Sequence, residues 1–370
     1  MKNTIFLFLL LFALAGCVEP YHAKTEGVGN ILVVEGFITN GITQISLSYS
    51  IHLDLYLRQQ MHKENQAVVY VECDDGTKSE PAHSSGKGIY LIETGELNVD
   101  VKYRLVIQLN GEEYRSSYIA PVITPPVNVT FTHDKINRNI NLCVTTIGNM
   151  HQHGYYLWSY REDWEIHALR YEREVPVVPP KQIYHASRDR YDWEMMLHDI
   201  NAPNNVYYCW RTDSSKVYKL GATEKLSENA IREKKLWTFS CADDRTSVLY
   251  RVKIKQNALH KEGYDYFENV QKIAEQTGSI FSSIPSELRG NIRCESSPGI
   301  PVIGYVDVST TTTDVQYLTD IYYDWSFYLL LVDSCQTASP KSDIYRYANC
   351  TNCTSSGTKR KPNDWPNDHQ

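Results

Sequence analysis

Acidic side chains cluster near the middle of the chain, where their spacing raises the question of acid–base chemistry. Glu162, Asp163 and Glu165 lie together, and Asp192 and Glu194 follow further along. A glycoside hydrolase needs two carboxyl groups flanking the scissile bond, so Glu162 and Asp192 define a surface hydrolase as one alternative. Such groupings also arise by chance among 44 Asp and Glu residues, and charged faces are usually solvated. We therefore assign no catalytic residue.

Two short motifs have residue types that bind metals. His151 and His153 would point to one face of a strand and could share an ion. The glycines on either side instead predict a solvated turn. Cys350 and Cys353 form a Cys-x-x-Cys pair, but zinc needs two more ligands and no second pair follows. We therefore predict no metal and no other cofactor.

Aromatic residues are abundant, with 27 Tyr and 7 Trp in the chain. Trp158, Tyr160, Trp164 and Trp193 lie in or near the acidic region and could stack on sugar rings or contact a partner. Amphipathic rings also pack well on β-sheet faces, so packing in a core or interface is the favoured interpretation. The four rings are candidate ligand contacts only.

Residues 1–17 follow the pattern of a bacterial lipoprotein signal. Lys2 supplies a positive charge, residues 5–14 are almost entirely apolar, and Leu14-Ala15-Gly16-Cys17 forms a lipobox. The apolar run is shorter than the roughly 20 residues that a transmembrane helix requires. We expect cleavage before Cys17, a diacylglycerol on its thiol, and a tether over residues 17–29.

Eight cysteines remain once Cys17 carries lipid, and an even number in an exported chain predicts disulfides. The disulfide candidates are Cys335, Cys350, Cys353, Cys209 and Cys241. The first three are close in sequence, so we expect one local bridge among them. Pairing of the last two is a second possibility. Cys73 and Cys143 lie in strand-like runs and are interpreted as buried thiols.

Length and composition indicate an ordered protein of two domains. The chain has 370 residues, of which 42% are hydrophobic, and a formal net charge of −7. This share of hydrophobic residues is enough to form hydrophobic cores, and it argues that the chain is mainly folded and not disordered. No basic patch stands out, so we predict no nucleic-acid partner.

The first domain is predicted over residues 30–125 from short strands separated by turns. The run at 31–38 is β-branched, Asn40-Gly41 is a strong hairpin turn, and residues 43–49 alternate polar and apolar. Similar strands and turns recur up to Asn110-Gly111. Pro125 and Pro126 mark the domain boundary, because proline cannot continue a sheet ladder.

The second domain is predicted over residues 126–345, again from short strands. Residues 161–205 are charged and Pro-rich and suggest a long insertion or extended hairpin. Apolar residues three or four apart predict one helix at 264–277, capped by Gly278. Residues 346–370 form a Cys-containing tail. The fold class is therefore mainly β, with two tandem antiparallel β-sandwich (immunoglobulin-like) domains and one conspicuous helix in the second.

Several stretches together resemble one family. They are the 31–36 run, Tyr264-Asp265-Tyr266-Phe267, the block from Gly278-Ser279 to Gly290-Asn291-Ile292, residues 302–306, and the tail with Cys350, Cys353 and Trp365. The chain is similar here to the domain-of-unknown-function 4249 lipoproteins of Bacteroides-like bacteria. The tail has Ser356-Gly357 where paired glycines are expected. The family has no established activity, so no catalytic residue is carried over.

The resemblance implies an outer-membrane lipoprotein commonly encoded beside a TonB-dependent transporter. Together with the lipid anchor and the aromatic strands, it leads us to expect a non-enzymatic accessory subunit that binds a ligand or partners such a transporter. A surface hydrolase acting on glycan or peptide is one alternative function. A structural envelope protein is the other.

Overall fold

The computed structural model describes residues 31–50, 63–149, 152–202, 205–215, 218–276 and 290–366. Over these residues the chain is mainly β, as the sequence predicts. The strands form four sheets of three to five strands and two separate two-stranded sheets. Three α-helices lie within the described residues.

The elements are numbered in chain order. The strands of the first half are β1 (Leu32–Ile38), β2 (Gly41–Tyr49), β3 (Val68–Cys73), β4 (His83–Gly86), β5 (Ile89–Gly95), β6 (Tyr103–Leu109), β7 (Glu112–Ser116), β8 (Val127–Asp134), β9 (Asn139–Ile147) and β10 (Tyr155–His167). The later strands are β11 (Glu174–Pro176), β12 (Gln182–His185), β13 (Arg190–Trp193), β14 (Met195–Leu197), β15 (Tyr208–Ser214), β16 (Lys219–Ala222), β17 (Ala230–Ser240), β18 (Leu249–Ala258), β19 (Ile292–Cys294), β20 (Val302–Val308) and β21 (Thr311–Thr319). The helices are α1 (Lys261–Gln276), α2 (Trp325–Gln336) and α3 (Ile344–Thr351).

The first pair of sheets encloses one hydrophobic core. Sheet 1 has the strand order β20-β1-β2-β5-β4, and sheet 2 has the order β19-β7-β6-β3. Ile45 and Leu47 of β2 are fully buried and lie in one cluster with Leu105 and Ile107 of β6. The alternation that the sequence predicts holds up to Leu47, and Ser48 is also buried. Burial of these side chains is the main force that holds the two sheets together.

Strands β19 and β20 return to this first pair from far along the chain. The sequence analysis assigned residues 292–308 to the second domain, but β19 pairs with β7 and β20 pairs with β1. The β1–β20 pairing is parallel, so the predicted purely antiparallel arrangement is wrong at this edge. A short apolar strand does not specify a distant partner, and the pairing follows only from the folded chain.

The second pair of sheets encloses a second core. Sheet 3 has the order β17-β9-β8, and sheet 4 has the order β15-β10-β18-β21, with β16 also paired to β10. Leu142 and Val144 of β9 pack in one cluster with Trp158 of β10 and Ile254 of β18. Strand β10 is central in sheet 4 and is therefore covered on both edges.

The predicted helix is confirmed as α1, which begins at Lys261, three residues before the predicted start. Phe267 stacks on Phe37 with ring centroids 5.6 Å apart, and Tyr266 lies at the same distance from Tyr305. The apolar face of α1 thus packs on sheet 1. The sequence analysis missed α2 and α3, and the predicted boundary at residue 345 falls inside α3.

The predicted insertion begins later than expected. Residues 161–167 belong to β10, and the chain leaves sheet 4 only after His167. The described residues between 168 and 207 contain the strand pair β11–β14, which encloses the hairpin β12–β13, before β15 returns to the sheet. Among the helices within the described ranges, none is long and apolar enough to span a bilayer.

Candidate interaction surface

The three clustered carboxylates lie on the central strand β10 and are almost fully buried. Glu162 is 2% exposed and accepts hydrogen bonds from Arg245 Nη2 at 2.6 Å and from the Tyr250 hydroxyl at 2.7 Å. Burial, followed by the charge of Glu162, raises the pKa of Tyr250 well above its usual range. Although burial alone would lower it, Glu162 and Asp243 raise the pKa of Arg245. Glu162 is therefore the centre of a neutralised buried network.

Asp163 and Glu165 point to the opposite face of β10 and also have partners. Asp163 accepts hydrogen bonds from Arg251 Nη2 at 2.7 Å and from the Thr212 hydroxyl at 2.6 Å. Glu165 lies 2.7 Å from Nε2 of His167 and accepts a bond from Nε1 of Trp365 at 3.2 Å. Buried charges persist only when they are paired and hydrogen-bonded. These acids are thus engaged in structural contacts of the sheet, and removal of one partner would leave a buried charge uncompensated.

The hypothetical hydrolase pair is not brought together by the fold. Glu162 is buried between the sheets of the second pair, whereas Asp192 lies in hairpin β12–β13, where Arg190 Nη2 is 3.0 Å away. Glu194 continues the same hairpin and donates its backbone N–H to Lys181. No contact joins Glu162 to Asp192 within the described part of the chain. Among the described residues, Glu162 and Asp192 therefore do not form a pair that could flank one scissile bond.

Three of the four candidate aromatic residues pack inside the protein. Trp158 is 1% exposed and donates from Nε1 to Gln256 at 2.7 Å. Trp164 is buried, and the guanidinium groups of Arg211 and Arg245 lie 5.2 and 4.6 Å from its ring. Tyr160 is half-buried against Trp237. For these three rings the structure shows packing contacts, and their role as ligand contacts stays a prediction.

A cleft of about 640 Å³ lies beside Trp164, at the end of sheet 4. Its walls include Arg211, Asp213, Asp244 and Arg245. The guanidinium of Arg245 is held by Glu162 and Asp243, and Arg211 lies 3.7 Å from Asp244. Because both guanidinium groups are already paired with acids, this cleft is a poor candidate for recognising an anionic ligand.

The cysteines form two disulfides at the C-terminal end of the fold. Cys335 bonds to Cys350, and Cys209 bonds to Cys353. The expected local bridge is therefore the one between Cys335 and Cys350. Cys241 does not pair with Cys209. It is a buried free thiol 3.6 Å from Nε2 of His133. The other free thiols are Cys73, Cys143 and Cys294, while Cys17 lies outside the described residues.

The disulfides hold the tail against the insertion. The backbone N–H of Arg170 donates to Cys350 at 2.9 Å, and that of Cys353 donates to Val206 at 2.9 Å. The Asn352 amide donates to the carbonyl of Pro176 at 3.3 Å. Residues 168–207 and 335–353 therefore pack together as one unit, which we call the insertion–tail platform.

The platform exposes a group of large apolar and aromatic side chains. Tyr184 and Tyr191 form a cross-strand pair on hairpin β12–β13, with ring centroids 5.1 Å apart. Tyr191 and Tyr345 are each 65% exposed. Trp193, the fourth aromatic candidate, is half-exposed and meets Tyr345 edge to face at 6.4 Å. Tyr184, Tyr191 and Trp193 share one face of the hairpin, and together with Tyr345 they form what we call the aromatic patch.

Sequence reasoning found Trp193 but missed the tyrosines around it. The signal available was the alternation in residues 182–185 and 190–193 on either side of a polar turn, which is the pattern of a hairpin. Tyr345 had no such signal, because only the disulfides and α3 bring it beside Trp193. Exposed apolar groups of this kind mark binding surfaces more often than catalytic centres.

The family comparison agrees with the expectation from the sequence. A family model described as "Domain of unknown function (DUF4249)" matches residues 18–314. The chain belongs to the DUF4249 family. No curated protein matches the chain. The matched range ends at residue 314, before α2. The tail segment of the platform in this DUF4249 protein, residues 335–353, therefore lies outside the matched range.

The Gly290-Asn291 motif has a structural role in this DUF4249 chain. A Cβ on Gly290 would lie 1.7 Å from the carbonyl oxygen of Gly304, so only glycine fits there. The Asn291 amide donates to the carbonyl of Val306 at 2.8 Å and accepts from its N–H at 2.9 Å. Asn291 thus pairs with the free edge of β20 as a neighbouring strand would.

Metal-binding residue types do not gather in the described part of this DUF4249 protein. Within residues 31–50, 63–149, 152–202, 205–215, 218–276 and 290–366, no three His, Cys, Asp or Glu residues are placed to hold an ion. His153 is exposed beside β10, and His151 lies outside the described residues. Cys350 and Cys353 belong to different disulfides and are not available as a ligand pair.

Proposed function

We propose that this protein is a non-enzymatic lipoprotein of the outer membrane that binds a TonB-dependent transporter through the insertion–tail platform. The lipobox ending at Cys17 supports the membrane anchor, and the resemblance to DUF4249 lipoproteins supports the transporter as partner. The observation that carries the proposal is the aromatic patch, because it exposes large side chains on a rigid base.

The construction of the platform favours binding. Aromatic side chains supply large contact areas at protein interfaces and are enriched among the residues that dominate binding energy. Two disulfides and the contacts with the insertion hold α3 and β15 in place before a partner arrives. A pre-organised surface loses less conformational entropy on binding, which strengthens association.

The finer architecture belongs to the same proposal. Two pairs of sheets, each around its own core, support two tandem β-sandwiches of the immunoglobulin-like type. In this arrangement the first sandwich includes β19 and β20 beside residues 30–125, and the second carries the platform. The tether of residues 17–29 would separate the first sandwich from the bilayer.

The proposal is tested by site-specific photo-crosslinking in the native membrane. Tyr191 is replaced by p-benzoylphenylalanine in the tagged full chain. Val99 is replaced in a control, because it is also exposed but lies in the turn between β5 and β6. We expect an adduct with a transporter from position 191 and none from position 99. Recovery of no transporter at position 191 would contradict the proposal.

A matched pair of variants tests the contribution of the patch. Tyr191→Ser should reduce the transporter recovered by affinity purification from detergent-solubilised outer membrane, whereas Val99→Ser should not. Both side chains are exposed, so neither change removes core packing. Equal recovery from the two variants would show that the patch is not the contact.

The alternative functions give different results in the same preparation. A surface hydrolase would cleave a glycan or peptide without needing a transporter. A structural envelope protein would neither cleave a substrate nor bind a transporter. The partners of Glu162 and Asp163 favour the binding proposal, because a general acid or base must be free to exchange a proton with substrate.

A further inference from the structure

A second cleft lies where the first pair of sheets meets the start of α1. Its volume is about 500 Å³, within the range of small-molecule sites. The residues that matter for its chemistry come from three parts of the chain. They are Tyr118 and Ile119 after β7, His260 and Glu262 at the start of α1, and Arg293 and Tyr305 on β19 and β20.

Arg293 is the basic residue of this cleft without an acidic partner among the described residues. It forms no ion pair or hydrogen bond through its side chain among the described residues. In the β19–β7 ladder it lies directly opposite Arg115, and like charges in this position are destabilising. Arg115 is neutralised by Glu113, with Nε 2.7 Å from Oε1. Arg293 therefore remains available to an external anion.

His260 provides a second cationic group on the same cleft. Its Nδ1 lies 2.7 Å from Oδ1 of the fully buried Asp307, and its backbone N–H donates to Oδ2 at 2.9 Å. The hydrogen bond to Asp307 raises the pKa of His260, although burial opposes this. Among the described residues Nε2 has no hydrogen-bond partner, so it can donate to a ligand.

The remaining wall limits the kind of anion. Tyr118, Ile119 and Tyr305 supply aromatic and apolar surface. Asp307 offsets the charge of His260, and Glu262 adds another negative charge at the rim. A doubly charged phosphate would be repelled by these acids, whereas a single carboxylate matches the one unpaired guanidinium and its planar donor geometry.

We propose that this cleft binds a small ligand with one carboxylate attached to an apolar or aromatic body, with Arg293 and His260 holding the carboxylate. The proposal does not rest on the transporter partnership, because it concerns binding by the isolated lipoprotein. Failure of transporter capture would leave it unchanged, and its own failure would leave the platform proposal unchanged.

The test uses two probes of nearly equal shape, phenylacetate and its neutral analogue phenylacetamide. Binding to the full chain in detergent is measured by calorimetry and ligand-observed NMR at low ionic strength. We expect phenylacetate to bind at least tenfold more tightly than the amide. Arg293→Gln should remove this preference, since a hydrogen bond to a charged group contributes roughly this factor.

Arg232→Gln is the matched control. Arg232 is exposed on β17 and paired with Glu228, outside the cleft. We expect this variant to keep the full preference for the acid. Equal loss in both arginine variants would show general charge attraction and overturn the proposal. Absence of phenylacetate binding, or equal binding of acid and amide to the unmodified chain, would overturn it as well.

Discussion

At the scale of single residues, Asn291 has a role that only its amide can fill. It donates to and accepts from Val306, at 2.8 and 2.9 Å. Asn291→Ala removes both bonds and leaves the edge of β20 partly unpaired. We expect a loss of about 1–3 kcal/mol in the free energy of unfolding, since each bond contributes about 0.5–1.5 kcal/mol. Denaturant titration measures this loss.

The control for this prediction is Asn201→Ala. Asn201 is exposed, and its side chain makes no hydrogen bond among the described residues. Its replacement should change the free energy of unfolding by about 0.5 kcal/mol or less. If the two variants were equally stable, the two hydrogen bonds of Asn291 would contribute nothing measurable to the free energy of unfolding.

His260 should make stability depend on pH. The hydrogen bond to Asp307 raises its pKa in the folded state above the ordinary value of 6.5. The stability that it contributes is therefore complete below that value and is lost as pH rises through the raised pKa. Glu262 of α1 adds to the attraction, and Arg293 lines the same cleft.

We expect His260→Gln to destabilise the protein more at about pH 6 than at about pH 9. The measurement is the difference in free energy of unfolding between the two proteins at each pH. His83→Gln is the control, because His83 is exposed on the edge strand β4. A pH-independent difference for His260→Gln would contradict the assigned charge interaction.

At the scale of elements, the parallel pairing of β1 with β20 depends on close backbone approach. Gly304 lies opposite Val34 and has a φ of +152°. A Cβ at this position would lie 2.3 Å from the Val34 carbonyl oxygen. Gly304→Ala should therefore lower the free energy of unfolding by about 3 kcal/mol or more, through backbone strain and overpacking.

Gly299→Ala provides the matched control for this element. Nothing lies within 4 Å of a Cβ built on Gly299. This substitution should change the free energy of unfolding by about 0.5 kcal/mol or less. Similar thermal unfolding of the two variants would mean that β1 and β20 can separate without cost.

At the scale of the whole molecule, the two disulfides should differ in their contribution to stability. Cys209 and Cys353 are 144 residues apart, whereas Cys335 and Cys350 are 15 apart. Closing the longer loop restricts the unfolded chain more. Loop entropy gives about 5 kcal/mol for the long bridge and about 3 kcal/mol for the short one.

Cys353→Ser should therefore destabilise the protein about 2 kcal/mol more than Cys335→Ser. The comparison is made by denaturant unfolding under non-reducing conditions. In reducing buffer the disulfides are open in every protein, so the difference should shrink. Equal destabilisation in non-reducing buffer would indicate that native contacts of the tail dominate over loop closure.

The proposed lipid anchor is also tested at the scale of the whole molecule. Cleavage before Cys17 followed by acylation would give a mature N-terminus of increased mass, which mass spectrometry detects. Cys17→Ser should move the protein out of the membrane fraction, because stable attachment depends on the acyl chains. An unmodified Cys17, or membrane retention of the variant, would contradict the lipobox interpretation.

The sequence by itself determined the local features of this protein. Alternating residues identified β2 as a half-buried strand, and apolar spacing identified α1. Both patterns arise from the geometry of one element and need no distant partner. Several sequence stretches taken together also suggested the DUF4249 family, and the family model confirms it over residues 18–314.

Tertiary structure alone decided which distant segments meet. Strand β20 pairs with β1, although most of the chain lies between them. Cys209 forms its disulfide with Cys353, although Cys241 is nearer to Cys209 in sequence. From the sequence, Glu162 could have been an exposed acid, but in the folded chain it is buried and bonded to Arg245 and Tyr250. Burial, strand pairing and disulfide partners depend on contacts between remote residues, and a local pattern carries no information about those contacts.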